Sequence, residues 1–159
     1  MKTASIKEIK EELKFRKPEE LTELLLRLSK FKKENKELLN YLLYESQNET
    51  AFINGVKEEI NDQFKLINTN SYYFIKKSVR KILRRVKTYI RYSKNKETEV
   101  DLLIFFCTKL KEMEPPIKAN VSLSNIYLRQ IEIIKKTISS LHEDLQFDYQ
   151  IEMEDLNHF

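Results

Sequence analysis

The sequence predicts an all-α protein, an irregular helical bundle or a short stack of antiparallel helical hairpins with seven to eight helices. Apolar residues recur at spacings of three and four in nearly every segment, which is the period of an amphipathic helix. The 159 residues include one glycine and three prolines, whereas β-rich folds use many of both in their turns. A chain of this length fits one helical domain over residues 1–159.

Three helices are predicted in the first third of the chain. Ser5 is a suitable N-cap for the first helix, and Pro18 fits the first position of the second, where a proline is tolerated. The third runs over about 32–44 and is followed by a polar turn. Each helix has apolar residues on one face: Ile6, Ile9 and Leu13; Leu21, Leu24, Leu25 and Leu28; Leu38, Leu39, Leu42 and Leu43.

The middle of the chain supplies the predicted core. A fourth helix over about 51–67 has apolar residues at helical spacing, and a sixth helix, capped by Thr98, runs over about 99–113. The sixth helix is apolar nearly all round, including Ile104 and Phe106, which is typical of a central helix. Cys107 on this helix is interpreted as a core thiol, because a buried cysteine behaves as a small hydrophobe.

A long seventh helix is predicted over about 122–145. Its apolar residues alternate in steps of four and three, the pattern of left-handed bundle packing. Residues 143–159 are predicted to form an acidic C-terminal tail or a short helix, since no Lys or Arg follows Lys136. The apolar seam of residues 127–145 is also a candidate surface for a homo-oligomer; it consists of Tyr127, Ile131, Ile134, Ile138, Leu141 and Leu145.

Charge is distributed unevenly along the chain. Residues 63–96 contain 11 Lys and Arg and no acidic residue, whereas residues 97–159 contain 6 basic and 12 acidic residues. Most of the positive block falls on a fifth helix over about 71–92, whose apolar stripe includes Ile75, Val79 and Val86. At 100° per residue, the basic side chains lie opposite that stripe. The candidate contact residues on this polar side are Lys77, Arg80, Lys81, Arg84, Lys87, Arg91 and Tyr73.

This basic helix has several interpretations. Closely spaced cations neutralise phosphates and release counterions, and an exposed tyrosine can stack on an unpaired base. The cations could instead contact an acidic protein, pair with the chain's own acidic tail, or form a solvated face. A membrane-surface helix would need the apolar stripe exposed as well, and the core requires that stripe. No membrane contact is therefore expected.

The sequence offers no pattern for catalysis or for a cofactor. One glycine cannot build a phosphate-binding loop or a nucleophile elbow, and one cysteine cannot build a cysteine-based zinc site. Asp155 and His158 have the spacing of a carboxylate–histidine metal element, but the second such element of a di-iron bundle is missing. We expect no enzyme activity, no metal and no cofactor.

Localisation is expected to be cytoplasmic. The single thiol fits a reducing compartment, and the first residues carry charge rather than the apolar core of a signal peptide.

Two stretches carry a resemblance. The segments "PEELTELLLRLSKF" (18–31) and "KKENKELLNYLLYES" (32–46) resemble the N-terminal part of small all-α bacterial proteins of unknown function, over roughly the first third of the chain. The short helix, bend and leucine-rich helix over 6–28 are also similar to the SAP module of DNA-binding proteins, although the bend "FRKPEE" lacks that module's glycine. Neither resemblance assigns a catalytic residue.

The leading hypothesis is a non-enzymatic helical interaction protein that binds another protein. The alternative is a nucleic-acid-binding protein that uses the basic helix around residues 76–94. Both hypotheses follow from helices with broad solvated faces and no catalytic motif. The nucleic-acid alternative depends in addition on the cluster of basic residues over 63–96.

Overall fold

Eight α-helices account for most of the chain, and the prediction of an all-α protein is confirmed. The computed structural model describes residues 1–159 and contains no strand. A π-helical segment (Tyr41–Glu45) extends the third helix, and a short 3₁₀ turn (Ile117–Ala119) precedes the seventh. The helices are α1 (Ile6–Lys14), α2 (Pro18–Phe31), α3 (Lys33–Asn40), α4 (Glu49–Lys65), α5 (Tyr72–Ser93), α6 (Lys96–Lys111), α7 (Val121–Ile138) and α8 (Glu143–Asn157).

The chain divides into two compact units, residues 1–44 and residues 45–159. The first contains α1 to α3 and the second contains α4 to α8. The prediction of one domain over 1–159 stays a prediction.

Local sequence signals set the helix starts of the N-terminal unit. The Ser5 hydroxyl accepts a hydrogen bond from the Glu8 amide at 3.3 Å, and the Ser5 amide donates to the Glu8 carboxylate at 2.7 Å. This reciprocal pair satisfies two amides that the first turn of α1 would otherwise leave unpaired. Pro18 occupies the first turn of α2, as predicted. α2 packs against α3, and the Asn35 side chain donates to the Leu28 carbonyl at 2.8 Å.

The core of the C-terminal unit is built around α6. This helix packs against α4, α5, α7 and α8, which confirms its predicted central position. Phe106 has 0% of its surface exposed and its ring lies 5.7 Å from that of Phe64 on α4. Because four helices pack around α6, most of its apolar side chains are buried, and Phe105 is only partly exposed. The buried ones are Val100, Leu102, Leu103, Ile104, Phe106, Cys107 and Leu110.

The predicted start of α6 is wrong. Asn95 caps the helix, accepting a hydrogen bond from the Glu97 amide at 2.9 Å. Thr98 lies in the first turn, is buried, and donates its hydroxyl to Glu49 of α4 at 2.5 Å. Residue type alone made Thr98 a suitable cap, but its hydroxyl instead pairs with a neighbouring helix that is distant in sequence.

The seventh helix is shorter than predicted. α7 ends at Ile138, and turns at 139–142 lead into α8, so the residues around Leu141 and Leu145 do not extend one continuous helix. Tyr127, Ile131, Ile134 and Ile138 are buried within the unit, where α7 packs against α6 and α8. The apolar seam of residues 127–145 is therefore used inside the chain, and the prediction of a homo-oligomer through it is wrong.

Candidate functional site

The strongest charged feature of the C-terminal unit is the outer face of α5. Ser71 caps this 22-residue helix. Ile75, Val79 and Val86 lie on its inner face and are fully buried, which fixes the rotation of the helix. Six cations lie on the solvent side and are exposed, and we name this set the basic ridge: Lys77, Arg80, Lys81, Arg84, Lys87 and Arg91.

None of the six ridge cations forms an ion pair in the structure. Arg80 donates to the Ser122 hydroxyl at 3.2 Å, and Arg91 donates to the Thr88 hydroxyl at 3.3 Å. Both are neutral partners, so the charge of the ridge is not compensated by them. At 1.5 Å per residue, the ridge from Lys77 to Arg91 is about 21 Å long.

Arg85 belongs to a different environment from the ridge. Its Nε lies 3.3 Å from a Glu59 carboxylate oxygen on α4, and its guanidinium lies over the Tyr89 ring at 4.2 Å. The Tyr89 hydroxyl donates to the same carboxylate. Arg85 therefore joins α5 to α4 and is satisfied within the chain.

Exposed aromatic rings lie at the N-terminal end of α5. Tyr73 is 67% exposed and Phe74 is 44% exposed, and their ring centroids are 5.5 Å apart in an edge-to-face arrangement. Tyr73 precedes Lys77 by four residues, so the two share one side of the helix. Tyr92, near the C-terminal end of α5, is buried against the Tyr89 ring.

The acidic C-terminal segment does not neutralise the ridge. It forms α8, which buries Tyr149, Met153 and Leu156 and packs against α6 and α7. Tyr149 forms a hydrogen bond with Asp101, whose pKa is raised by burial of its carboxyl group. No ion pair joins α8 to α5. The hypothesis that the tail pairs with the basic helix is therefore wrong in this structure, because apolar burial directs α8 elsewhere.

The other candidates for chemistry lie apart. His142 caps α8, accepting a hydrogen bond from the Asp144 amide at 3.3 Å. Asp155 and His158 are exposed near the C-terminus, and the structure contains no group of three or more potential metal-ligating side chains. Cys107 is fully buried, and burial raises the pKa of its thiol to about 12.

Cys107 is expected to resist thiol reagents in the folded protein. The thiolate is the reactive species, and burial both blocks access and disfavours ionisation. An aromatic disulfide reagent at pH 8 should label Cys107 only after denaturant unfolds the chain. Labelling at the rate of a free thiol under native conditions would show that α6 is not central.

A second surface was not identified from the sequence. Apart from the N-terminal Met1, residues 1–44 contain thirteen large apolar side chains that are at least 37% exposed, and Tyr41 alone is buried. Helical periodicity places the leucines on one face but cannot distinguish a face covered by its own chain from one left open. We name this set the N-terminal apolar surface: Ile6, Ile9, Leu13, Phe15, Leu24, Leu25, Leu26, Leu28, Phe31, Leu38, Leu42, Leu43 and Tyr44.

None of the helices combines the length and apolar character needed to cross a membrane. No protein-family model, curated protein or solved structure matches the chain.

Proposed function

We propose that this chain is a non-enzymatic helical interaction protein, and that the protein it binds through its N-terminal apolar surface is a second copy of itself. The observation that carries the proposal is the exposure of thirteen large apolar side chains within 44 residues. Monomeric proteins rarely expose large apolar areas, and such areas mark interaction surfaces.

The leucines of α2 illustrate the exposure. Leu24, Leu25 and Leu28 lie at helical spacing on one face and are 43%, 50% and 58% exposed, although α3 packs against α2. Full burial of such a side chain contributes about 1.5–3 kcal/mol. Because these leucines are about half exposed, covering them with another apolar face recovers about half of that contribution from each.

The total exposed area of this surface is in the range of protein–protein interfaces. The exposed parts of the thirteen side chains amount to on the order of 1,000 Å², comparable with the roughly 800 Å² that each partner contributes to a standard interface.

The charges around this surface favour a like partner. Residues 1–44 contain 11 basic and 8 acidic residues, interspersed along the helices. Some already pair locally, for example Lys14 with Glu11 at 2.8 Å and Lys33 with Glu37 at 3.4 Å. A surface with both signs does not select a polyanion or a polycation. It matches a second copy, in which each sign can face the other across a two-fold axis.

Sedimentation of the full chain tests the proposal. Across about 1–100 μM, a range that reveals a micromolar dissociation constant, the chain should shift from monomer to dimer. The double variant Leu24→Gln/Leu28→Gln should stay monomeric, because polar side chains on this face cannot be buried without cost.

The matched control is Leu66→Gln/Phe147→Gln, which changes two exposed apolar residues in the C-terminal unit. This variant should associate like the parent. A parent that remains monomeric throughout the range, or a control that dissociates as fully as the α2 variant, contradicts the proposal. Circular dichroism of each variant checks that its total helix content matches that of the parent.

A further inference from the structure

We propose that the basic ridge of α5, together with Tyr73 and Phe74, is a binding site for single-stranded nucleic acid. The site lies in the C-terminal unit and does not depend on self-association through the N-terminal apolar surface.

The first argument is the absence of negative charge on this face. Residues 63–96 contain 11 basic residues and no acid, and the six ridge cations have no acidic partner. Arg85, on the same helix, does find a carboxylate, that of Glu59. An acidic side chain is thus available next to α5, but it pairs with Arg85 on the side of the helix that faces α4 and not with the basic ridge. A polyanion would meet no carboxylate on α5 itself.

The second argument is the regular spacing of the cations. They follow one another in steps of one, three and four residues from Lys77 to Arg91, so each turn of about 5.4 Å presents at least one on the same side. A straight line of positive charge about 21 Å long suits a backbone whose charges also recur at a fixed interval.

The third argument is the choice of cation. The whole chain contains 22 Lys and 7 Arg, yet three of the six ridge cations are arginine: Arg80, Arg84 and Arg91. The guanidinium fork matches phosphate oxygens with two parallel hydrogen bonds, whereas an ammonium group acts as a point charge. This enrichment favours an anion that accepts two parallel hydrogen bonds, as a phosphate does.

The exposed rings favour a single strand over a duplex. Tyr73 is 67% exposed and lies one turn before Lys77, and Phe74 beside it is 44% exposed. Aromatic side chains stack on the faces of unpaired bases, which a duplex keeps covered. A single strand whose phosphates contact the ridge would pass Lys77 at the N-terminal end of α5. Its next base would then lie beside the rings of Tyr73 and Phe74.

Fluorescence anisotropy with labelled oligothymidylate and oligouridylate of about 20 nucleotides, long enough for the usual site sizes, tests the site on the full chain. Both should bind at about 50 mM salt, with the relative affinity showing whether DNA or RNA is preferred. If all six cations contact phosphates, the log–log salt slope should approach about −4, and affinity should fall about 300-fold by 200 mM.

Two variants separate charge from stacking. Arg80→Gln/Arg84→Gln/Arg91→Gln should weaken binding and make the salt slope shallower by about 2 units. Tyr73→Ala/Phe74→Ala should weaken binding by about 5- to 150-fold per stacked base, with the slope unchanged. The matched control, Arg129→Gln/Lys135→Gln/Lys136→Gln, removes the same charge from exposed positions on α7 and should bind like the parent.

Several outcomes would overturn the proposal. They are no binding by the parent at about 50 mM salt, equal losses in the α5 and α7 triple variants, and affinity for a duplex equal to that for the single strand. Competition by polyglutamate at equal charge concentration would assign the ridge to an acidic protein instead. Circular dichroism of each variant shows that a loss of binding is not a loss of fold.

Discussion

Replacing Phe106 by alanine is expected to lower the free energy of unfolding by about 3–5 kcal/mol, the usual range for truncating a buried aromatic ring. Phe106 is fully buried on α6, the helix that contacts all four others of the C-terminal unit. The ring also meets Phe64 of α4 at 5.7 Å. Few neighbours can shift to fill the space, because four helices already pack against α6.

Urea unfolding followed by circular dichroism measures this change. Ile104→Ala, also on α6, should cost about 2–5 kcal/mol. The exposed Phe147 provides the control, since Phe147→Ala should change stability by no more than about 0.5 kcal/mol. If Phe106→Ala and Ile104→Ala unfold at the same urea concentration as the parent, α6 is not the centre of the core.

Replacing Tyr127 by alanine is expected to have a similar effect, about 3–5 kcal/mol as for other large aromatic truncations. Tyr127 on α7 is fully buried, its hydroxyl donates to the Leu156 carbonyl at 2.7 Å, and its ring stacks on Phe159 at 4.3 Å. The residue thus fastens the end of α8 to α7. Tyr127→Phe keeps the ring and should cost only about 1–3 kcal/mol, the penalty for an unpaired buried carbonyl.

Alkaline pH gives an independent check on the hydroxyl. Burial, and secondarily Cys107, raises the pKa of Tyr127 to about 12. Between the ordinary pKa of about 10 and this value, the folded chain holds a proton that the unfolded chain has released, so stability falls as pH rises. The parent should lose stability over this interval, and Tyr127→Phe should lose less. If stability falls with pH in the same way for the two proteins, the pKa of Tyr127 is not raised in the folded chain.

Local signals predicted the features that depend on neighbouring residues alone. Ser5 as the N-cap of α1, Pro18 in the first turn of α2 and the two faces of α5 all follow from spacing and capping chemistry. These were readable because each depends on residues within two turns of one another.

Features that depend on a distant helix were not readable. Thr98 is a good cap by residue type, but Glu49 of α4 takes its hydroxyl. Arg85 is an arginine on the same helix as the ridge arginines, yet it forms an ion pair with Glu59 of α4. The end of α7 at Ile138 was also missed, because the heptad spacing continues through the turn into α8. The spacing correctly predicted burial from Tyr127 to Ile138, but Leu141 and Leu145, beyond the end of α7, are only partly buried.

The near absence of buried side chains in residues 1–44 has a consequence for dynamics. α1, α2 and α3 have 9, 14 and 8 residues, lengths at which isolated helices are marginal in water. Opening these helices exposes little further apolar surface, so their local unfolding free energy should be far below that of α4 to α8. Any partner that covers this surface will also order it. Such binding should carry the large negative heat-capacity change of coupled folding and a correspondingly unfavourable conformational entropy.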